Sequence, residues 1–341
     1  MLINLIGFLL QGGYTLVIKL TDVAQLAKVS PTTVSRVINN YGYLSQKTID
    51  KVHAAMSELN YQPNNLARSL QGKKSQIIGL IFPSVSNPFF GELIEQLEIK
   101  LFAKGYKSIL CDSNLKPEKE KAYLGMLAAN QVDGIIAGGH NAGLKEYQKM
   151  SAPVISFDRL LGSHIPIISS DNFSGGKIAT DTLIKLGSKR IGIITGSNST
   201  DSPTLLRLNG YLDALKESNL EPFVFQINSA TSDSLKKIEI ARILREEHLT
   251  GLFCTDDLTA ILVMNEALNQ NIKIPQDLKL IGYDGTKLIQ KYFPQLTTII
   301  QPIDEISSLL AELITLRIED PDAPLETQYT LPVKLLQSNS I

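Results

Sequence analysis

Residues 20–70 read LTDVAQLAKVSPTTVSRVINNYGYLSQKTIDKVHAAMSELNYQPNNLARSL, and this stretch decides how the chain begins to fold. Thr21 to Ala27 predicts a short helix with Val23, Leu26 and Ala27 on its apolar face. Val29-Ser30 makes the turn. Ser30 is suited to cap a second helix and Pro31 to open it, because a serine oxygen can accept an orphan N–H and proline has none to lose. That helix runs Thr32 to Asn39 with Val34, Val37 and Ile38 turned inward. Ser45 caps a third helix, Gln46 to Leu59, whose Ile49, Val52, Ala55, Met56 and Leu59 complete a small core. Two short helices joined tightly have the helix-turn-helix shape. The outward residues of the second, Pro31, Thr32, Ser35, Arg36 and Asn39, are short groups plus one arginine. Small side chains allow close approach to the major groove, and arginine can bond guanine with two donors. A three-helix bundle that binds protein is the alternative left open by periodicity alone.

The charge distribution sets this segment apart. Through Ser75 there are 8 Lys and Arg against 3 acids, a balance of +5, leaving 25 against 31, or −6, for the rest. A basic module ahead of a mildly acidic body points to a polyanion partner for the first part alone. At 341 residues, 43% apolar and 20% charged, the chain can bury two or three ordinary cores. Cys111 and Cys254 lie far apart with no CxxC spacing, and His53, His140, His164 and His248 are scattered. Neither a disulfide framework nor a metal site is expected, and a reducing cytosol fits. No cofactor is expected.

Beyond Ser75, strand-like apolar runs alternate with amphipathic segments of helical length, the pattern of βαβ units and parallel sheets. The expected strands are Ile77 to Phe82, Ser108 to Cys111, Gly134 to Ala137, Val154 to Phe157, Ile191 to Thr195, Leu252 to Cys254 and Leu280 to Tyr283. In such sheets ligands bind past the carboxyl ends of the strands. That places Ser84 to Phe90, Asp158-Arg159, Asp256-Asp257 and Asp284 in the candidate site. Carboxylates and arginine suit vicinal hydroxyls, and a Phe89 or Phe90 ring suits the apolar face of a sugar. Taken singly, a strand-end Asp also serves as a helix cap and a Phe pair also serves as core.

The motifs VSPTTVSRVIN, YLSQKT and YQPNNLARSL resemble the DNA-binding head of the lactose and galactose repressor family (LacI/GalR). The resemblance extends from Leu20 nearly to the C-terminus. Its segments IIGLIFPSVSNPFF, SSDNFSGG, TDDLTAILVM, IGYDGTKLIQKYFPQLTTIIQPI and LPVKLL look most like the sucrose-operon branch. The resemblance implies an α/β architecture: an all-α helix-turn-helix head (19–64), a hinge helix (65–75), and a type I periplasmic-binding-protein-like domain (76–341). The last would hold two parallel-sheet subdomains, about 76–171 with 303–330 and about 172–301 with 331–341, joined by three crossovers. The chain would cross back for a final strand, Leu331 to Leu336.

By the same resemblance Pro31, Thr32 and Arg36 would read bases, while Leu20, Ser30, Ser35, Asn39, Ser45, Thr48, Tyr61 and Asn64 hold phosphates. Ala67, Arg68 and Leu70 would belong to the hinge helix, with Leu70 as a minor-groove wedge. It adds Arg207 and Gln301 to Asp158, Arg159, Asp256 and Asp284 in the ligand cleft. The implied partners are operator DNA, a small sugar or sugar phosphate, and a second copy of the chain, with no membrane. The implied activity is repression of a carbohydrate operon, sucrose foremost, relieved by the sugar. Two alternatives stay open: a catabolite-control regulator whose corepressor is a phosphorylated carrier protein, and an exported sugar-binding protein. Enzymatic readings lack a Walker loop, a GxGxxG after a strand, a GxSxG and metal spacing.

Met1 to Ile18 carries no charge. It lacks the basic start of an export signal, and Gln11-Gly12-Gly13 interrupts it as a membrane span. Gln-Gly-Gly is what a purine-rich ribosome-binding sequence encodes in frame, and Leu16 or Val17 can be UUG or GUG starts. The expectation is a native protein that starts there, so an intact mass counted from Met1 is the result that would refute it.

Overall fold

The computed structural model describes residues 18–39, 41–62, 74–138, 143–196, 202–228 and 231–341, in two units divided between Lys73 and Lys74. The expected extension to residue 17, the hinge to residue 73, and Asn64, Ala67, Arg68 and Leu70 lie outside the described residues.

The first unit holds α1 (Leu20–Ala27), α2 (Pro31–Ile38) and α3 (Gln46–Glu58). Each start is satisfied locally. Asp22 accepts the Lys19 N–H at 2.7 Å, Ser30 Oγ accepts the Thr33 N–H at 3.0 Å, and Ser45 Oγ accepts the Thr48 N–H at 3.3 Å. Val23, Ala24, Ala27, Val34, Val37, Val52 and Ala55 form the core, with Ile38, Ile49, Met56 and Leu59 partly buried against it. Leu26 corrects the expectation. It is 40% exposed, because the buried arc of α1 runs through positions 23, 24 and 27 and leaves 26 beyond its edge.

The second unit starts with β1 (Ile77–Phe82), α4 (Pro88–Ala103), β2 (Lys107–Asp112), α5 (Pro117–Ala129), β3 (Gly134–Ala137), β4 (Val154–Phe157) and β5 (Ile167–Ser170). The chain then enters a second set: α6 (Asn172–Lys185), β6 (Ile191–Thr195), α7 (Pro203–Glu217), β7 (Phe223–Gln226), α8 (Asp233–Glu246), β8 (Gly251–Cys254), α9 (Asp257–Asn269), β9 (Lys279–Asp284), α10 (Lys287–Tyr292) and β10 (Thr297–Ile300). It returns through α11 (Ile303–Glu319) and β11 (Gln328–Leu331) and ends on β12 (Lys334–Leu336). The first sheet has the order β11-β5-β4-β3-β1-β2, and the second β12-β10-β9-β8-β6-β7. All pairings are parallel except β10 with β12. Fully buried β3, β4, β6 and β8, with β1 buried from Ile78 onward, are the continuous apolar runs expected of strands covered on both faces.

The final strand corrects a second expectation. Leu331 ends β11 in the first sheet, and Lys334 opens β12 in the second. Pro332 stands between them and has no N–H to offer either ladder.

The crossing of α6 and α7 positions the site. A Cβ on Gly176 would collide with the Arg207 carbonyl, and one on Gly210 with the Phe173 carbonyl, so the two backbones touch. Gly210→Ala should cost about 1–3 kcal/mol in chemical denaturation as α7 is forced away. A stability gain, as for an ordinary helix glycine replaced by alanine, would rule out the close approach.

Candidate functional site

Arg207 projects from the first turns of α7 and is 6% exposed. Its Nε donates to Asn172 Oδ1 at 2.8 Å, and one Nη1 donates to the Thr255 carbonyl at 2.6 Å. The guanidinium lies 3.6 Å from the Tyr283 ring centroid, and Nη1 is 3.9 Å from Asp284 Oδ1. A buried cation needs this much compensation, because an unpaired one would lose several kcal/mol of hydration. The partners come from the start of α6, which follows β5 of the first sheet, and from the ends of β8 and β9 in the second, so strand ends of both sheets are tied to one side chain.

Asn172 extends the network toward the first sheet. Its Nδ2 donates to the Ser170 carbonyl at 3.0 Å and to Asp158 Oδ1 at 3.3 Å, while its Oδ1 also accepts from Tyr283 at 3.4 Å. Gln301 makes a parallel link. It accepts from Ser170 Oγ at 2.7 Å and donates to Asp284 Oδ1 at 2.8 Å. Asp158, Arg207, Asp284 and Gln301 are therefore brought into one connected cluster between the two sheets. Asn172 and Tyr283 belong to it too, and sequence reasoning did not select them. Their signal was positional only: one opens the helix after a crossover, and the other is the last apolar residue before Asp284.

The remaining expected cleft residues have other or additional roles. Phe89 is buried in the core of the first subdomain, stacked on Phe157 at 5.8 Å between centroids, so it is not a stacking surface for a ligand. Phe90 is partly buried and packs against the same core, 5.9 Å from the Phe82 ring. Asp256 caps α9: it accepts the Thr259 N–H and hydroxyl, each at 2.8 Å. Asp257 points the other way, into the interior, accepting from Thr298 Oγ1 at 2.6 Å and the Gly285 N–H at 2.7 Å. Arg159 is partly buried beside Asp158, whose carboxylate offsets the loss of hydration that lowers the guanidinium pKa.

The carboxyls are held in an unfavourable state. Burial pushes Asp158 up to about 6, against the pull of Arg207 and Arg159. It pushes Asp257 up to about 7, and Asp284 well above the ordinary range despite Arg207. Asp158 and Asp284 also have left-handed backbone, φ +57° and +115°. Such strain in non-glycine residues costs about 1–3 kcal/mol each and gathers where ligands bind.

In the head, Pro31 and Thr32 are exposed on the outer face of α2. The Arg36 Nε donates to the Tyr41 carbonyl at 3.4 Å. Asn39 folds back, its Nδ2 on the Ser35 carbonyl at 2.6 Å and on Ser35 Oγ at 3.2 Å. Ser30 and Ser45 serve as caps, with Thr33 and Thr48 hydroxyls at 2.8 and 2.9 Å from them. Leu20 and Tyr61 lean on the small core. The free N–H groups that remain at the starts of α2 and α3 are suited to phosphate oxygens.

Because the folded chain raises the Asp158 pKa from 3.8 to about 6, it holds that proton more tightly than the unfolded chain does. Stability from this group is therefore greatest below pH 3.8 and falls as pH rises toward 6, leaving a cost on the order of 1–3 kcal/mol at neutrality. Asp158→Asn tolerates the same left-handed backbone and should unfold at a higher temperature than the parent near pH 7, with the gap closing near pH 4. A gap that does not change with pH would contradict this assignment.

Residues 19–64 match the model of the bacterial regulatory proteins, lacI family, and residues 180–341 match that of the periplasmic binding protein-like domain. The chain is 54% identical over 319 residues to the sucrose operon repressor of Pediococcus pentosaceus, covering 94% of this chain and 98% of that one. It is 52% identical to the sucrose operon repressor of Streptococcus mutans, covering 96% and 100%. Among solved structures, the lac repressor bound to ONPG in the repressed state superposes with a TM-score of 0.82 at 25% identity, over 95% of this chain and 99% of that one. A periplasmic binding protein/LacI transcriptional regulator from Alkaliphilus metalliredigens complexed with D-xylulofuranose gives 0.71 at 31% identity, over 78% and 99%. With a relative at this identity spanning nearly the whole chain, and a head and body that each match, the protein belongs to the lacI family of bacterial regulatory proteins.

Proposed function

We propose that this protein is a sequence-specific DNA-binding repressor of a sucrose-utilisation operon, released from its operator by a small sugar-type effector. It works in the cytoplasm as a homodimer and catalyses no reaction. The observation that carries the reading is the pairing, in one chain, of a basic helix-turn-helix head with a polar cluster built around buried Arg207. The choice of sucrose is supported by relatives named as sucrose operon repressors at 49–54% identity. Among the described residues no helix is long and apolar enough to cross a membrane.

The chemistry divides by unit. Pro31, Thr32 and Arg36 meet base edges in the major groove, and Leu20, Ser30, Ser35, Asn39, Ser45, Thr48, Tyr61 and Asn64 hold phosphates that set the register. For this, Arg36 exchanges its hydrogen bond to Tyr41 for one to guanine. The hinge residues Ala67, Arg68 and Leu70 are assigned to operator contact, with Leu70 as the minor-groove wedge that unstacks a base step. In the body, Asp158, Arg159, Arg207, Asp256, Asp284 and Gln301 surround the effector. A ligand that favours one arrangement of the subdomains over the other shifts their populations, with a coupling of about 1–3 kcal/mol.

The test is a gel shift with promoter DNA flanking the protein's own gene, with and without sucrose or fructose. Specific, salt-sensitive binding that sugar weakens is expected, and no preference for any such duplex would end the proposal. Arg36→Ala should lose about 1–3 kcal/mol of operator discrimination. Arg207→Ala should bind sugar at least about tenfold more weakly, since the partners left behind are buried and unpaired.

A further inference from the structure

We propose that Gly42 is a positioning residue for base reading: its missing side chain leaves the seat in which Arg36 is held ready before DNA arrives. This inference rests on the base-reading role given to Arg36 above and names the residue that controls it.

The loop after α2 closes on that one side chain. The Tyr41 N–H donates to the Arg36 carbonyl at 3.0 Å, and the Tyr41 carbonyl accepts from Arg36 Nε at 3.4 Å. The next residue, Gly42, has φ +74°. A Cβ built on it would collide with Arg36 Nη2 and stand 3.3 and 3.4 Å from Cζ and Nε, so one edge of the guanidinium lies against the Gly42 backbone. Tyr41 and Tyr43, on either side of Gly42, are 73% and 94% exposed. Neither ring is drawn in to support the turn, and what the turn holds is the arginine.

A held arginine reads bases better than a free one. Arg36 lies four residues beyond the exposed Thr32, on the same side of α2. From there a long, flexible side chain can reach guanine, or swing out to phosphates that carry no sequence information. Among the described residues its side chain has one hydrogen bond, to Tyr41, and no carboxylate partner, so opposite charge does not restrain it. The seat does. Guanine then gains the arginine without the full loss of rotamer freedom that immobilising such a side chain costs. The bond given up to Tyr41 is single and long, and guanine O6 and N7 offer two acceptors in its place. Any other residue at this position puts a Cβ where the guanidinium stands. The far end of an arginine gives way easily, so the substitution moves Arg36 and leaves the head folded. Glycine also suits the left-handed backbone here, and that use alone would account for it. Asparagine separates the two roles, because it tolerates this backbone and still carries the Cβ.

Operator fragments from the DNA flanking the gene, each with one base pair changed, are titrated with the full chain by gel shift. Arg36→Ala marks the base pair that the arginine reads. Gly42→Asn should lose discrimination at that same base pair, by about two- to tenfold, and keep it at the others. Gly42→Ala carries the same Cβ and should show the same loss. In an Arg36→Ala background neither should add anything. Discrimination is a ratio of affinities measured on one preparation, so it does not depend on how much of a variant is folded. Full discrimination in either Gly42 variant, a loss spread over other base pairs, or a loss that persists without Arg36 each overturns the inference while leaving Arg36 as the base reader. If Arg36→Ala changes discrimination at no base pair, the base-reading assignment falls and this inference falls with it.

Discussion

The buried guanidinium of Arg207 is the constraint on which the rest of the larger unit depends. A charge taken out of water in a cleft costs several kcal/mol, and only hydrogen bonds and opposite charges placed at short range recover it. Four residues from three separate strand ends or helix starts contribute: Asn172, Thr255, and the adjacent pair Tyr283 and Asp284. Removing any one would leave an uncompensated group in the interior. The glycine-to-backbone contact of α6 with α7 is what allows the arginine to reach them, since Gly176 lies directly against the Arg207 carbonyl. A packing feature of two helices thus fixes an electrostatic one.

That arrangement is not the most stable use of these residues. Asp158 and Asp284 are strained in their backbones and raised in pKa, and Arg207 supplies only part of what they need. Asp257 contrasts with them. It is equally removed from water, but it has the Thr298 hydroxyl and the Gly285 N–H to itself, and it ties α9 to β9 and β10. Burial raises its pKa as well, but its partners are all inside the fold, whereas Asp158 and Asp284 bond to the segments that join the two sheets. Stability forgone at such positions is the ordinary sign of a binding site.

Much of this was legible in the sequence where local chemistry decides the outcome. Ser30, Pro31 and Ser45 announce helix starts by their own hydrogen-bonding capacity, and the runs IIGLIF, GIIA, VISF and IGIIT can only be buried strands or short core helices. Strands β5, β7, β10 and β11, reading IISS, FVFQ, TTII and QYTL, gave no such signal. They are short and mixed in polarity, and β7 and β11 are sheet edges with one side toward water. Leu26 shows the limit of a helical wheel, because which side of an apolar arc is buried depends on where α2 and α3 lie. Phe89 shows the limit of position, since an aromatic after a strand end can turn into the core as readily as into the cleft. Arg207 and Gln301 were named only through resemblance, and Asn172 and Tyr283 were not named as site residues. Their roles arise when strand ends distant in the chain converge, which no local pattern encodes.

The location of Asn172 and Gln301 links recognition to motion. The chain passes between the two sheets at three places: after β5, after β10, and between β11 and β12. Ser170 and Asn172 flank the first passage, Gln301 begins the second, and a hydrogen bond joins the two. These same residues hold Asp158 and Asp284. A further link sits on α4, where Glu92 of the first subdomain accepts the N–H of Lys287 from the second at 2.8 Å. A molecule that donated hydrogen bonds to Asp158 and Asp284 would therefore act within the segments that join the subdomains. The groups that hold these two carboxyls are themselves part of the passages between the subdomains, so a change at either carboxyl bears on those passages directly.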